Sequence, residues 1–276
     1  MLTTNHRTRL IAVIAAAGLA LTACGGGDAD ADADGLGLID DDTLVVAMSG
    51  EFQPFSYRDG NDLTGFDHDI GAAVAKEMGL EYKTETGAFD TLIGGLKAHR
   101  YDVLIASMTP TPERSEQVVF TDGYYTSGAQ AFVAEGVECS APQDLDSPSI
   151  GVAAGTTYND FLADEDWVGE IRTFSSDITA LQDVATGRLD LGMTDRLVGL
   201  HQINEAGLPL VQCGDPLYTE EPAFAVNLDQ GALKDELNVA LAAIKADGTY
   251  AEISQKYFGV DISGKADADD EAATTD

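Results

Sequence analysis

Basic residues are scarce in this sequence. Fifteen lysines and arginines stand against 48 aspartates and glutamates in 276 residues, and the formal net charge is −33. Binding to nucleic acid, and attraction to anionic lipid headgroups, both depend on clustered cationic side chains. The composition therefore argues against a nucleic-acid partner and favours a soluble body that is not drawn to anionic surfaces.

The apolar run near the N-terminus is too short to cross a bilayer. It extends from Leu10 to Leu21, about a dozen residues, whereas a spanning helix needs about 20. Arg7 and Arg9 precede it, which is typical of a secretory signal. It ends in Leu-Thr-Ala-Cys, and small residues before a cysteine resemble a bacterial lipobox. We therefore expect residues 1–23 to be removed and Cys24 to be lipidated; an ordinary signal peptide with an incidental cysteine is the alternative.

Large apolar residues are few in two terminal segments. Residues 24–42 open with GGGDADADADG after the first cysteine, and residues 261–276 are acidic. Such compositions bury too little apolar surface to offset the entropy of ordering, so we expect a flexible acidic tether and a disordered acidic tail. Removal of residues 1–23 deletes two arginines and no acid, which moves the net charge from −33 to −35.

Cysteine is also rare, with three in the chain. If Cys24 carries the lipid, Cys139 and Cys213 remain, and one pair in an exported chain predicts a disulfide; two unpaired thiols are the alternative. No second histidine or cysteine lies at metal-ligand spacing from His68. We interpret His68 as a surface or helix-face residue and expect no metal and no cofactor.

Strand and helix patterns alternate along the rest of the chain. Ile70, Val74 and Met78 recur at helical spacing before Gly79, which is a helix stop. The run VLIAS is typical of a buried strand. Thr-Pro-Glu at residues 111–113 is typical of the N-cap and first turn of a helix. The alternation predicts an α/β protein with two lobes, each a doubly wound sheet, and a ligand cleft between them.

A repeat relates two helix–strand units within this pattern. Arg-Tyr-Asp, ending at Asp102, is followed five residues later by Ser107; Arg-Leu-Asp, ending at Asp190, lies 88 residues further on and is followed five later by Asp195. We interpret Asp102 and Asp190 as structural residues that enter strands. Ser107 and Asp195 then stand at equivalent strand ends, where open α/β sheets bind ligands.

Arg114 follows the first of these strand ends. A guanidinium placed where a buried strand gives way to a helix start is suited to binding a carboxylate. Asp195, at the equivalent end of the second unit, is suited to binding an ammonium group. Together the two residues predict a zwitterion held between the lobes.

Four motifs resemble the type II periplasmic solute-binding proteins of amino-acid ABC importers, which form solute-binding protein family 3. The motifs are GFDHDIGAAVAKEMG, ASMTPTPER, FTDGYYTSG and DGTYAEISQKYFG, and the resemblance covers roughly Thr43 to Gly259. His68 departs from it, because an aliphatic residue is usual at that position. The resemblance implies one lobe from residues 43–133 with 223–260, and a second from residues 134–222.

What the resemblance implies about function is specific. The protein would be a monomer, lipid-anchored on the extracytoplasmic face of a bacterial membrane (cell surface or periplasm). It would close on a free amino acid and deliver it to the transmembrane permease subunits, which work with a cytoplasmic ATPase.

The same resemblance implies a set of ligand contacts. Phe52 and Phe89 would be aromatic walls around the ligand's side chain. Arg114 would clamp the carboxylate with help from the Thr157 amide. Asp195 would bind the α-ammonium, although Arg196 beside it could pair with it instead. The expected contacts are Ser49, Phe52, Phe89, Ser107, Thr109, Arg114, Thr156, Thr157 and Asp195.

Two positions bear on the ligand's side chain. Family members that bind basic amino acids, histidine or glutamine typically have an aspartate where this chain has Ser49. Glutamine binders have a lysine where it has Ala153. The acid that a cationic side chain would need is thus absent, although Glu51 lies near enough in sequence to replace it. We therefore expect a polar, uncharged amino acid or a cystine-like ligand.

Two functions from other classes remain open. Some proteins of this fold are enzymes, such as cyclohexadienyl dehydratase, which need a general acid in the cleft; Glu51 is the one spare acid that the sequence suggests. A ligand-sensing domain would be followed by a transmembrane helix, whereas here an acidic tail follows. A free-standing receptor without catalytic activity is favoured.

Overall fold

The computed structural model of the chain describes residues 35–264, so the expected signal at residues 1–23 and the anchor Cys24 lie outside the described residues. The strands are β1 (Thr43–Met48), β2 (Glu51–Phe52), β3 (Ser56–Asp59), β4 (Asp62–Thr64), β5 (Glu81–Thr86), β6 (Val103–Met108), β7 (Val118–Gly123), β8 (Ser127–Ala134), β9 (Ser149–Ala153), β10 (Glu170–Phe174), β11 (Leu191–Asp195), β12 (Leu210–Glu220) and β13 (Ala223–Asn227). The helices are α1 (Phe66–Glu77), α2 (Leu92–Lys97), α3 (Pro112–Ser115), α4 (Thr157–Ala163), α5 (Asp177–Ala185), α6 (Arg196–Asn204), α7 (Gly231–Ala246) and α8 (Thr249–Phe258).

Two five-stranded sheets with the same plan form the two lobes. The first has the order β5-β1-β6-β13-β7 and the second β10-β9-β11-β8-β12, beside a small sheet β2-β3-β4. In each large sheet the first three strands are parallel, the fourth runs antiparallel to both of its neighbours, and the fifth therefore has the direction of the first three. The predicted α/β architecture of two doubly wound lobes is confirmed.

The parallel strands are buried because helices pack against the sheets. Leu44 to Met48 of β1 are all buried, and α1 buries Ile70 and Val74 at the predicted helical spacing. Gly79 follows this helix with a φ of 74°, a left-handed conformation that favours glycine. No helix within residues 35–264 has the length and apolar character that a membrane span requires.

Asp102 and Asp190 fasten equivalent strands in the two lobes. Asp102 accepts hydrogen bonds from the amides of Ile39 and Val45, each at 2.8 Å. Asp190 accepts from the amide of Ser149 at 2.8 Å and from its hydroxyl at 2.6 Å. Each carboxylate thus holds the start of a neighbouring parallel strand, which confirms that both residues are structural and that the sequence repeat is a repeat of structure.

The first crossing between the lobes differs from the expected boundary after residue 133. β8 lies in the second sheet, between β11 and β12, so the chain crosses at residues 124–126. Six consecutive residues of β8 are buried. A strand buried on both faces has no alternation to indicate which sheet it joins, so its pattern fits either lobe.

The ordered chain is longer at both ends than the composition predicted. Leu36 and Leu38, within the expected tether at residues 24–42, pack against the core of the first lobe. Ile262, within the expected tail at residues 261–276, is 8% exposed, and its amide donates to the Ser254 hydroxyl at 2.9 Å. These few apolar residues are enough to dock the segments that contain them.

The predicted disulfide joins Cys139 and Cys213, whose Cα atoms are 4.9 Å apart. Cys213 lies on β12 and is fully buried in the core of the second lobe. The bond ties the segment after β8 to β12, the strand whose last residue is Glu220.

We expect removal of this disulfide to destabilise the second lobe. The cysteines are separated by 74 residues, and closing a loop of that length restricts the unfolded chain by about 4 kcal/mol in chain-entropy terms. Replacing both cysteines by alanine should lower the free energy of unfolding in urea, and reductant should then have no further effect on the variant. Finding Cys139 and Cys213 both alkylated in unreduced, denatured protein would contradict the bond.

Candidate functional site

A cavity of about 310 Å³ lies between the two lobes. Small-molecule sites have volumes of roughly 300–1,000 Å³, so the cavity suits a small ligand. Its walls come from the ends of β1, β5 and β6 in the first lobe, and from β9, α4, the start of α5 and β12 in the second. Of the expected ligand contacts, the following line it: Ser49, Phe52, Phe89, Ser107, Thr109, Arg114, Thr156 and Thr157.

Arg114 lies in the short helix α3 and is held from three sides. The Thr111 hydroxyl caps the helix by accepting from the Arg114 amide at 3.1 Å. The guanidinium donates to the carbonyl oxygens of Thr109 at 2.6 Å and Gly155 at 2.9 Å. The Phe89 ring centroid is 5.6 Å from the guanidinium carbon. These contacts orient the guanidinium and leave other N–H groups for a ligand.

Glu220 presents a carboxylate to the same cavity from the end of β12. The residue is 5% exposed, and it accepts a hydrogen bond from the Thr157 hydroxyl at 2.5 Å. Burial lowers the pKa of Arg114, and the charge of Glu220 is the largest effect that raises it again. A buried cation and a buried anion therefore face one cavity, as binding a zwitterion requires.

Asp195 lies behind the cavity wall rather than in it. It is 1% exposed, and its Oδ1 accepts from the Leu197 amide at 2.7 Å, as the N-cap of α6, and from the Ser127 hydroxyl at 2.8 Å. Burial, with a smaller contribution from the nearby charge of Glu220, raises its pKa to about 7 against the lowering effect of the hydrogen bonds from Ser127 and Leu197. Asp195 is thus not among the residues that line the cavity, and its contact with a ligand stays a prediction. A strand-end aspartate suits a helix cap as well as a ligand, and sequence spacing does not separate the two.

Ser107 has a strained backbone beside the cavity. Its φ is 51°, in the left-handed region that serine rarely adopts. Its hydroxyl donates to the buried carboxylate of Asp67 at 3.0 Å, and its amide donates to the Tyr124 hydroxyl at 3.0 Å. The Tyr124 hydroxyl in turn donates to Asp67 at 2.6 Å. This buried network holds the end of β6 in its unusual conformation.

The other expected contacts are held by neighbours in the walls. Phe52 stacks on Phe55, with ring centroids 5.4 Å apart. The Ser49 hydroxyl lies 3.2 Å from that of Ser56. The Thr156 hydroxyl caps α4 and donates to the Ala153 carbonyl at 2.8 Å.

Two hydrogen bonds cross the cavity and join the lobes. One is the bond from Arg114 to the Gly155 carbonyl, at 2.9 Å. The other runs from the Ser176 hydroxyl to the Glu51 carbonyl, at 3.1 Å. The cavity therefore has an Arg114 end and a Glu51–Ser176 end.

The comparisons with known proteins decide the family. The model of the bacterial extracellular solute-binding proteins, family 3, matches residues 44–260. The chain belongs to this family. It is an extracytoplasmic solute-binding protein of an amino-acid ABC transporter, and it is not an enzyme.

Several members of the family resemble it closely. It is 32% identical to the L-cystine-binding protein TcyJ of Escherichia coli (strain K12) over 224 residues, 80% of this chain and 84% of that one. It is 38% identical to the ABC transporter arginine-binding protein 1 of the same organism, over 76% of this chain and 88% of that one. The structure of an ancestral arginine-binding protein bound to arginine matches with a TM-score of 0.75 and 32% identity, over 79% of this chain and 99% of that one.

His68, the one departure from the family motif, is half-buried on α1. Its Nδ1 lies 3.1 Å from the Asp69 carboxylate, which Lys256 also contacts at 2.7 Å. Within residues 35–264 no group of three or more acidic, histidine or cysteine side chains could hold a metal ion.

Among the titratable residues that line the cavity, three escaped the sequence analysis: Tyr158, Asp177 and Glu220. One signal could have found Asp177. Residue 177 lies 88 positions after residue 89, the same offset that separates Ser107 from Asp195. Asp177 is thus the second lobe's counterpart of Phe89. No comparable signal marks Glu220.

The buried Asp67 predicts an unusual pH dependence of stability. Burial raises its pKa from 3.8 to about 7, against the lowering effect of hydrogen bonds from Tyr124 and Ser107. Between those two values the native state holds a proton that the unfolded state has lost, so the free energy of unfolding falls as pH rises. Asp67→Asn removes the group that holds this proton. The free energy of unfolding in urea should then fall less steeply between pH 5 and 7, by up to about 1.4 kcal/mol per pH unit.

Asp190→Asn is the matched control for that experiment. The hydrogen bonds from Ser149 lower the pKa of Asp190, so it is ionised in both states from pH 5 to 7. Its loss should reduce stability equally across that range. An unchanged slope in Asp67→Asn would show that Asp67 does not hold the extra proton.

Proposed function

We propose that this solute-binding protein is a lipid-anchored monomer that captures a free α-amino acid by closing its two lobes, and then delivers it to the permease. The observation that carries the proposal is the pairing of Arg114 and Glu220 across one cavity. An α-amino acid has a carboxylate and an ammonium group on the same carbon, so it needs opposite charges close together.

The ligand carboxylate binds Arg114 in this proposal. Two of the five guanidinium N–H donors are engaged by the Thr109 and Gly155 carbonyls, and the others are available for a bidentate contact. Thr109 and the Thr157 amide assist, as the family resemblance implies. Because Gly155 belongs to the second lobe, a carboxylate bound here also reinforces the closed arrangement.

The α-ammonium binds Glu220, with Asp195 behind it. Glu220 lines the cavity beside Thr157, and its charge acts on both Arg114 and Asp195. Phe52 and Phe89 provide walls for the side chain. Ser49 and Ala153 favour a polar, uncharged or cystine-like side chain, and a thermal-shift panel of amino acids, cystine and amines identifies the ligand, because binding raises the midpoint of unfolding.

Arg114→Ala should nearly abolish binding of the best ligand in that panel. Removing one member of a buried charge pair costs roughly 3–5 kcal/mol, or about two to three and a half decades in affinity. Glu220→Gln should cause a loss of similar size. Isothermal titration calorimetry measures both, and Arg172→Ala, which removes an exposed arginine paired with Glu170, should bind as the unmodified protein does.

The outcomes separate the roles of the residues. Near-normal affinity in Arg114→Ala would overturn the amino-acid site. A loss confined to Asp195→Asn, with Glu220→Gln unaffected, would assign the ammonium contact to Asp195 instead.

The lipid anchor is tested separately. The Leu-Thr-Ala-Cys segment ending at Cys24 supports it. In its host the protein should partition into the membrane and carry an acyl mass on Cys24, because two or more acyl chains give stable anchoring. Cys24→Ala should release the protein or stall its processing. An intact mass matching an unmodified chain cut elsewhere would contradict the anchor.

A further inference from the structure

Asp177 places a buried carboxylate in the wall of the cavity. It is the first residue of α5, it is 5% exposed, and it lines the cavity. Burial raises the pKa of its carboxyl, and a hydrogen bond from the Thr194 hydroxyl lowers it again in part. A carboxylate buried in the wall of a ligand cavity is costly while its charge is uncompensated, so it favours a ligand that brings positive charge to it.

Asp177 lies at the end of the cavity away from the α-amino-acid contacts. Ser176, which precedes it, donates to the Glu51 carbonyl at 3.1 Å, so this end is formed by the start of α5 and by β2. Arg114 instead contacts Thr109 and Gly155. A ligand whose α-groups occupy the Arg114 end therefore extends its side chain toward Asp177.

The charges of the cavity wall favour a cation at that end. The acidic lining residues are Glu51, Asp177 and Glu220, and the basic one among the described residues is Arg114. Once the ligand's α-groups pair with Arg114 and Glu220, an uncharged side chain leaves the charge of Asp177 uncompensated and an anionic one adds repulsion. A cationic side chain supplies both the hydrogen bond and the compensating charge.

We propose that Asp177 is a specificity residue that binds a second cationic group, an ammonium or guanidinium, on the ligand's side chain. This inference rests on the proposed amino-acid site and changes the ligand class that Ser49 and Ala153 favour. It adds basic amino acids, keeps cystine through its second ammonium group, and removes uncharged polar side chains. Cystine binds less well than a basic amino acid, because its second carboxylate also enters the acidic end.

Glu51 contributes less to this selectivity than Asp177. Its side chain is exposed, so water and salt screen its charge, while Asp177 is buried and its charge is screened less. Burial also raises the pKa of Asp177 to about 6, and a cation beside it favours the ionised form.

The test compares arginine with citrulline, which replaces the charged guanidinium by a neutral urea of nearly the same shape. Calorimetry on the purified protein should give at least a 30-fold tighter Kd for arginine, since an unpaired buried charge costs about that much. Asp177→Asn should bring the ratio of the two dissociation constants close to one. Because both ligands are measured on the same variant, partial misfolding cancels in the ratio.

Asp183→Asn is the matched control, since Asp183 is an acid of the same helix that pairs with Arg188 at 2.8 Å. It should keep the ratio of the unmodified protein. That result would show that the selectivity comes from contact with Asp177 and not from the overall negative charge of the protein. Equal affinities for arginine and citrulline in the unmodified protein, or an unchanged ratio in Asp177→Asn, would overturn the assignment of Asp177 and leave the amino-acid site standing. Absence of binding to every amino acid in the panel would instead overturn the proposed function.

Discussion

The burial of the Arg114 guanidinium between the lobes is the constraint on which the rest of the site depends. A buried charge is costly unless it is paired and hydrogen-bonded. Here two carbonyl oxygens, one from Thr109 and one from Gly155, hold the guanidinium in place, but a carbonyl carries only partial negative charge. Glu220 faces it across the cavity. In the proposed function a ligand with a carboxylate completes the pairing, so binding and closure of the lobes would favour each other.

The repeat of the two lobes provides the frame for this arrangement. Asp102 and Asp190 each accept a hydrogen bond from the start of the equivalent strand in their own sheet. The strands of the two sheets also follow the same order and directions. The 88-residue offset therefore relates equivalent positions of the two lobes. At one such pair the chemistry differs: Phe89 is an aromatic wall that contacts Arg114, whereas Asp177 is a buried acid.

Local context explains which site residues could be predicted from the sequence. Arg114 follows a buried strand and a Thr-Pro-Glu helix start, and these short-range signals place it at the cavity without knowledge of distant contacts. Asp195 has an equally strong local signal, but its carboxylate caps α6 and accepts from the distant Ser127 hydroxyl, and the second contact exists only in the folded chain. Glu220 has no local signal, because the pairing of β12 shifts register between Cys213 and Tyr218. After such a shift, strand alternation no longer tells which face a residue occupies.

The sequence by itself determined the α/β class, the repeat, the pair of cysteines that bond and the arginine of the cavity. Each of these depends on spacing or on residues close together in the chain. The tertiary structure decided which acids reach the cavity and where the chain crosses between the lobes. The acids depend on the register of β12 and on the packing of α5 against the first lobe, and the crossing depends on which sheet β8 joins. These are long-range contacts, and neither composition nor periodicity contains them.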